Sequence, residues 1–267
     1  IIRFAGDSGD GMQLTGDRFT SASALWGNDL STLPDFPAEI RAPAGTLAGV
    51  SAFQVHISDH EITTPGDAPN VLIAMNPAAL KAELGVLEPG GTIIVNTDAF
   101  TERNLAKAGY DASPLEDDTL KGYTVFEVPM TTMTKESVAD LGVKPRDAER
   151  SKNFFALGLI SWMYTRPSEP TLTWIEEKFG SKPQVAAANR VAFTTGHAFG
   201  ETAELLLSLE GEFGGLSGWQ AALSPGVPRS GTALTAEFEF KLGQGGHDGG
   251  DGPAGDIEAE HHQRVLN

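Results

Sequence analysis

An apolar run, Ile1-Ile2-Arg3-Phe4-Ala5, enters a loop of closely spaced glycines, Gly6-Asp7-Ser8-Gly9-Asp10-Gly11, and an apolar-periodic segment follows from Met12. A strand that turns into a helix over glycines is the opening of a nucleotide-binding α/β unit. Such a turn brings bare backbone N–H groups up to a phosphate at a helix N-terminus. The spacing is Gly6-x-x-Gly9-x-Gly11-x4-Gly16. The dinucleotide fingerprint is G-x-G-x-x-G, so the third glycine falls too late. Two readings stay open: phosphate or cofactor contact, and a tight turn needed only for chain packing. Asp7 and Asp10 would repel a phosphate unless they turn away, and Asp10 is expected to cap the helix. No acid stands cleanly at the ribose position about 20 residues on. Asp29 and Asp35 are near it but follow no clear second strand. Gly9-Asp10-Gly11 also invites a thiamine diphosphate site, but only Asn28 follows where such a site needs a set of oxygen ligands for Mg²⁺.

Further strand-like runs are Val50–Ile57, Val71–Met75, Thr92–Val95 and Tyr123–Val128. Helical patterns cover Gly11–Trp26, Pro77–Leu87 and Thr101–Ala108, the last with Thr101 as N-cap and Gly109 as the residue past its end. Alternating strands and helices predict an α/β fold with a mostly parallel sheet covered on both faces. Val50–Ile57 alternates incompletely and is read as a candidate antiparallel member. From Ser151 the pattern turns helical, with Ser151–Trp162 expected as a buried helix, Thr171–Phe179 as a short amphipathic one, and Pro183–Leu209 as a longer one. Beyond Leu209 glycines crowd the chain, and residues 210–267 are expected to be an irregular, flexible tail.

The formal net charge of −17 argues against binding nucleic acid or an anionic membrane. With no cysteine, the chain has no disulfide, no thiolate nucleophile and none of the thiolates that hold an iron–sulfur cluster. No run is long and apolar enough to span a bilayer, and no secretory leader is visible. The first residue is Ile1, not Met, so leading residues are expected to be missing, and cytoplasm is the default location. The six histidines show no metal-ligand spacing, and there is no G-x-S-x-G elbow. Met130 and Met133 are read as core.

Two more stretches carry chemistry. Pro37-Ala38-Glu39-Ile40-Arg41-Ala42-Pro43-Ala44-Gly45-Thr46 is a rigid, small-residue loop. Its Arg41 suits either a phosphate or an ion pair with Glu39 or Asp35. In Arg146–Asn153, basic residues enter an apolar helix where they oppose the macrodipole. They are either solvated or held by an anion or an acidic partner.

The stretches Phe4–Gln13, Phe36–Thr46, Asn76-Pro77, Asn96–Phe100 and Arg150–Asn153 together resemble the alpha subunit of 2-oxoacid:ferredoxin oxidoreductases, the 2-oxoglutarate subtype in particular. The resemblance covers residues 1–206, and residues 1–209 are read as the gamma-type domain of that subunit. It implies a doubly wound, Rossmann-like α/β fold. The implied reaction is a CoA-dependent oxidative decarboxylation, in which 2-oxoglutarate, CoA and oxidised ferredoxin give succinyl-CoA, CO₂ and reduced ferredoxin. Thiamine diphosphate with Mg²⁺ and iron–sulfur clusters are expected on other domains or subunits, a beta subunit is the expected partner, and ferredoxin is met through the complex. The matching cofactor-binding positions are Gly9, Gly11, Gln13, Arg41 and Asn153, all toward CoA. In that light a phosphate-rich ligand explains Arg41 better than a surface pair does. Nothing after Leu209 resembles the family's continuation with its thiamine-binding motif, so a truncated chain or a tail in a shifted frame is expected. The chain alone is then expected to be inactive. A structural or assembly domain without a ligand of its own is the alternative, and a nicotinamide dehydrogenase is disfavoured by the late Gly16.

Overall fold

All five residues Ile2–Gly6 of the first strand, β1 (Ile2–Asp7), are buried, and β1 lies inside the sheet with a neighbour on either side. The computed structural model describes residues 1–39 and 42–203, which fall in one unit. After β1 come α1 (Met12–Leu25), β2 (Asp29–Asp35), β3 (Val50–Ser58), β4 (Val71–Ala74), α2 (Pro77–Glu83), β5 (Thr92–Asn96) and α3 (Glu102–Ala108). Then follow β6 (Thr124–Val128), α4 (Met130–Ser137), α5 (Pro145–Arg150), α6 (Lys152–Met163), α7 (Glu169–Phe179) and α8 (Pro183–Thr202). The tail 210–267, and the part of the expected last helix beyond residue 203, lie outside the described residues. Among the described residues no helix is long and apolar enough to cross a membrane.

The strand order is β2-β3-β1-β4-β5-β6. β1, β4, β5 and β6 run parallel, and β3 is antiparallel to both β1 and β2. Val50–Ile57 is thus the antiparallel member that its pattern suggested. Its weak alternation has a physical cause: β3 is internal and covered on both faces, so it needs no polar side. The two faces hold separate cores. Ile2 and Phe4 join Phe19 of α1, Phe155 of α6 and Phe193 of α8, whereas Ala5 and Leu72 join Ala79 and Leu80 of α2 and Ala108 of α3. The doubly wound α/β fold is therefore present. Each fully buried phenylalanine contributes about 1.5–3 kcal/mol by leaving water.

Two helices are joined by an unusually close contact. A Cβ on Gly158 of α6 would stand 2.0 Å from the Phe193 carbonyl of α8, and a Cβ on Gly196 of α8 would stand 2.0 Å from the Phe155 carbonyl of α6. The backbones touch because both residues are glycine. One buried cation also stitches the sheet. Arg3 donates through Nε to Glu83 at 2.6 Å, through Nη2 to Asp35 at 2.5 Å and through Nη1 to Gln54 at 3.3 Å. This ties β1 to β2, β3 and α2.

Several expectations need correction. Asp29–Asp35 is a strand where none was read. It pairs with β3 at the sheet edge and leaves most of its side chains exposed, so it carries no apolar run. α4 escaped notice because Thr131, Thr132 and Thr134 break the helical composition, although Met130 is fully buried and Met133 packs on the core as expected. The helix from Pro77 ends at Glu83 and continues as a single 3-10 turn, Leu84–Val86. Arg146–Asn153 is not one helix start. Arg150 closes α5, where a cation suits the helix dipole, and α6 begins anew at Lys152. The caps of α3 match: Thr101 accepts from the Asn104 N–H at 3.4 Å, and Gly109 is left-handed.

Candidate functional site

The glycine loop sits at the carboxyl end of β1, between parallel β4 and antiparallel β3. Ligands of open α/β sheets bind at such a crevice, outside the strand ends. Its backbone is shaped by Asp7 and Asp10. The Asp10 N–H donates to the Asp7 carbonyl at 2.8 Å, and the Asp7 N–H donates to Asp10 Oδ2 at 3.3 Å. The sequence expectation that Asp10 caps α1 is not met; Gly11 holds that position with φ 75° and no side-chain bond. Asp10 instead faces Lys152 at 3.1 Å. The basic side chain at the start of α6 thereby has its acidic partner inside the chain.

Asp7 faces the loop that follows β2. Its carboxylate accepts the Gly45 N–H at 3.0 and 3.1 Å. Burial pushes its pKa up, the Gly45 N–H and the Asn76 amide pull it down, and Asp10 adds repulsion. Both loop carboxylates are thus engaged with the protein. Lys107 of α3 donates to the Ala44 carbonyl at 3.3 Å, so the segment just after Arg41 is held from two sides. Arg41 itself, with Ile40, lies outside the described residues.

Gly11 and Asn153 come together. A Cβ on Gly11 would lie 2.8 Å from Asn153 Nδ2. Asn153 is 6% exposed, its Oδ1 accepts from the Phe154 N–H at 3.1 Å, and its Nδ2 has no protein acceptor among the described residues. The starts of α1 and α6 therefore converge on one spot, both without a side-chain cap, and both offer first-turn N–H groups. Gly9 lies exposed at the loop tip, with nothing within 4 Å of an added Cβ. Gln13 is committed differently. Its Nε2 donates to the carbonyls of Asp35 at 3.0 Å and Ala52 at 2.8 Å and reaches Ser51 Oγ at 3.0 Å. It anchors α1 to the β2–β3 edge.

Residues beyond those singled out complete the rim. Asn76 lies two residues past the end of β4 and caps α2 by accepting the Ala79 N–H at 2.8 Å. Asn96 ends β5 and accepts the Thr131 N–H at 3.3 Å, while Asp98 accepts the Thr132 N–H at 2.7 Å. The sequence signal for them was an asparagine directly after an apolar strand run. Among the described residues no three His, Asp or Glu side chains gather as a metal site. The residues described here do not fit the Mg²⁺ of a thiamine site, and a chain without cysteine does not fit the usual cysteine-ligated iron–sulfur cluster.

The sequence profile of the family described as pyruvate ferredoxin/flavodoxin oxidoreductase matches residues 1–199. The chain is 59% identical over 204 residues to the 2-oxoglutarate oxidoreductase subunit KorA of Mycobacterium tuberculosis, covering 76% of this chain and 31% of that one. A solved structure of the 2-oxoglutarate:ferredoxin oxidoreductase from Magnetococcus marinus, with 2-oxoglutarate, coenzyme A and succinyl-CoA bound, superposes with a TM-score of 0.58 at 28% identity. It covers 75% of this chain and 31% of its own. The keto/oxoacid ferredoxin oxidoreductase gamma subunit from Geobacter sulfurreducens shares the fold, with a TM-score of 0.50 at 21% identity over 75% of this chain and 98% of its own. The chain thus spans about a third of the length of the first two proteins.

Proposed function

From the premise that this chain belongs to the pyruvate ferredoxin/flavodoxin oxidoreductase family, we propose that it is the CoA-binding part of a 2-oxoacid:ferredoxin oxidoreductase that uses 2-oxoglutarate. The observation that carries the reading is the Asn153 Nδ2, which has no protein acceptor among the described residues, set against left-handed Gly11 at the carboxyl end of β1. Two uncapped helix starts beside it suit the phosphates of CoA. The relative with CoA and 2-oxoglutarate bound supports the choice of ligand and of oxo acid. Gly9 leaves the loop tip open to a bulky anion, and Gln13 fixes the loop through Nε2. Arg41 would pair with a phosphate, a charge-assisted contact of about 1.5–3 kcal/mol. Residues 1–209 form the gamma-type domain in this reading. Oxidation chemistry belongs to thiamine diphosphate and iron–sulfur clusters on other domains or subunits, among them a beta subunit that passes electrons to ferredoxin. The chain works in the cytoplasm.

Isothermal titration of the full chain with CoA tests this. We expect saturable binding that weakens about 10- to 100-fold in Arg41→Ala. It should also weaken in Asn153→Ala, which gives up the Oδ1 bond to the Phe154 N–H and whose fold is checked by circular dichroism before titration. Absent binding, or equal affinity in all three proteins, overturns the assignment. The second reading, an assembly domain without a ligand, is favoured by the internal engagement of Asp7, Asp10 and Gln13. It predicts no shift in melting temperature with CoA.

A further inference from the structure

At the other end of the α1–α6 pair, about 20 Å along α1 from the glycine loop, lies a cavity of 260 Å³ whose walls include Trp26, Trp162, Arg166 and His197. We propose that this cavity recognises an amphipathic carboxylate, a single carboxylate on a flat apolar group, with the Arg166 guanidinium as its counter-ion. Arg166 is 8% exposed, yet among the described residues no carboxylate pairs with its guanidinium, and its Nε has no acceptor. The buried indole Nε1 of Trp162, on the same wall, also lacks an acceptor. Two donors in one lining, the Arg166 Nε and the Trp162 Nε1, are thus buried without an acceptor, and buried donors are rarely left unpaired. Burial lowers the pKa of Arg166, and the Tyr164 phenol opposes this.

The rest of the wall says what kind of anion fits. His197 stands edge-on to Trp162, with ring centroids 5.3 Å apart, and Trp26 is 59% exposed at the mouth. Flat rings of this kind accept a flat apolar body. The 11-residue helix α7 begins at the cavity with no side-chain cap on its first turn. Among the described residues Arg166 is the one arginine or lysine in the lining, and Glu169 stands exposed on the rim. A monoanion is therefore favoured over a doubly charged phosphate. The chain is turned into the cavity by Thr165, whose φ of 54° closes the end of α6. The Arg166 N–H then reaches back to the Ser161 carbonyl at 2.7 Å.

The test titrates the full chain with phenylacetate and with its neutral isostere phenylacetamide, read by quenching of tryptophan fluorescence and by melting temperature. A second pair, the blocked peptide acetyl-Leu-Glu-Phe-amide and its glutamine counterpart, separates a free organic acid from an acidic side chain as the source of the carboxylate. We expect at least one carboxylate to bind tenfold or more tightly than its amide. That preference should be lost in Arg166→Met and kept in part in Arg166→Lys, while inorganic phosphate leaves both readouts unchanged. Equal or absent binding within both pairs overturns the proposal, as does a preference that survives in a folded Arg166→Met or saturable binding of phosphate. The amide comparison is made on the unaltered chain, so it decides the matter even where Arg166→Met fails to fold.

Discussion

Replacing Gly158 by alanine tests how the helical layer is built, because two known effects point in opposite directions. In an ordinary helix interior the change stabilises by about 1 kcal/mol, since alanine loses less backbone entropy than glycine. In α6 the new Cβ would meet the Phe193 carbonyl at 2.0 Å and the His197 amide nitrogen at 2.9 Å. Both are backbone atoms, so no side chain can swing aside. Ordinary contact begins at 3.4 Å, so α6 and α8 must part by more than 1 Å at their closest point. Overpacking of that kind costs about 3 kcal/mol or more where backbone must move. The net loss is then about 2 kcal/mol, which in a domain of this size lowers the melting temperature by about 4–8 °C. Gly85→Ala is the control, since an added Cβ there meets nothing within 4 Å. It should leave stability unchanged or raise it by up to about 1 kcal/mol. Once the helices have parted, adding Gly196→Ala should cost less than it does alone, because both changes demand the same movement. Urea denaturation followed by circular dichroism measures the unaltered chain and all four variants. A Gly158→Ala chain as stable as the unaltered one would refute the reasoning.

Arg3→Met should cost about 3–5 kcal/mol, because it leaves the buried Glu83 carboxylate without its cation, and adding Glu83→Leu should recover part of the loss; urea midpoints decide. Asp7 has a pKa raised mainly by burial, so the folded state holds its proton more tightly than the unfolded state does. Its contribution is therefore fully present below the ordinary aspartate pKa and is lost as pH rises through the raised value. Asp7→Asn keeps an acceptor for the Gly45 N–H, so its stability relative to the unaltered chain should climb as pH rises from below the ordinary aspartate pKa through the raised value, and then level off. A flat difference would contradict the burial argument. Thr165→Gly should stabilise by about 0.5–1 kcal/mol in urea, since relief of a left-handed β-branched residue outweighs the entropy of glycine.

Much of the fold was legible because its signals are local. The apolar runs of β1, β4 and β5 are buried strands. Thr101 and Gly109 bracket α3 because capping needs only a hydroxyl at one end and a positive φ at the other. β2 was not legible, because an edge strand with exposed side chains and Pro34 has no apolar pattern to show. The break at Ser151 was hidden for a different reason. Its hydroxyl bonds Asn189, 38 positions away, and no local window contains that partner.

At the candidate site the division is sharper. The sequence by itself determined that glycines follow the first strand, that no cysteine is present, and that Gly11 and Asn153 belong to stretches resembling one family. Tertiary structure decided what each of them faces. It turned Asp7 to Gly45 and Asp10 to Lys152, committed Gln13 to the β2–β3 edge, and set the Asn153 amide against Gly11. It also placed Arg166 in the wall of a cavity where, among the described residues, no carboxylate pairs with it. Composition and spacing fix which groups a chain owns. Burial and direction depend on partners tens or more than a hundred residues away, and only packing brings those together.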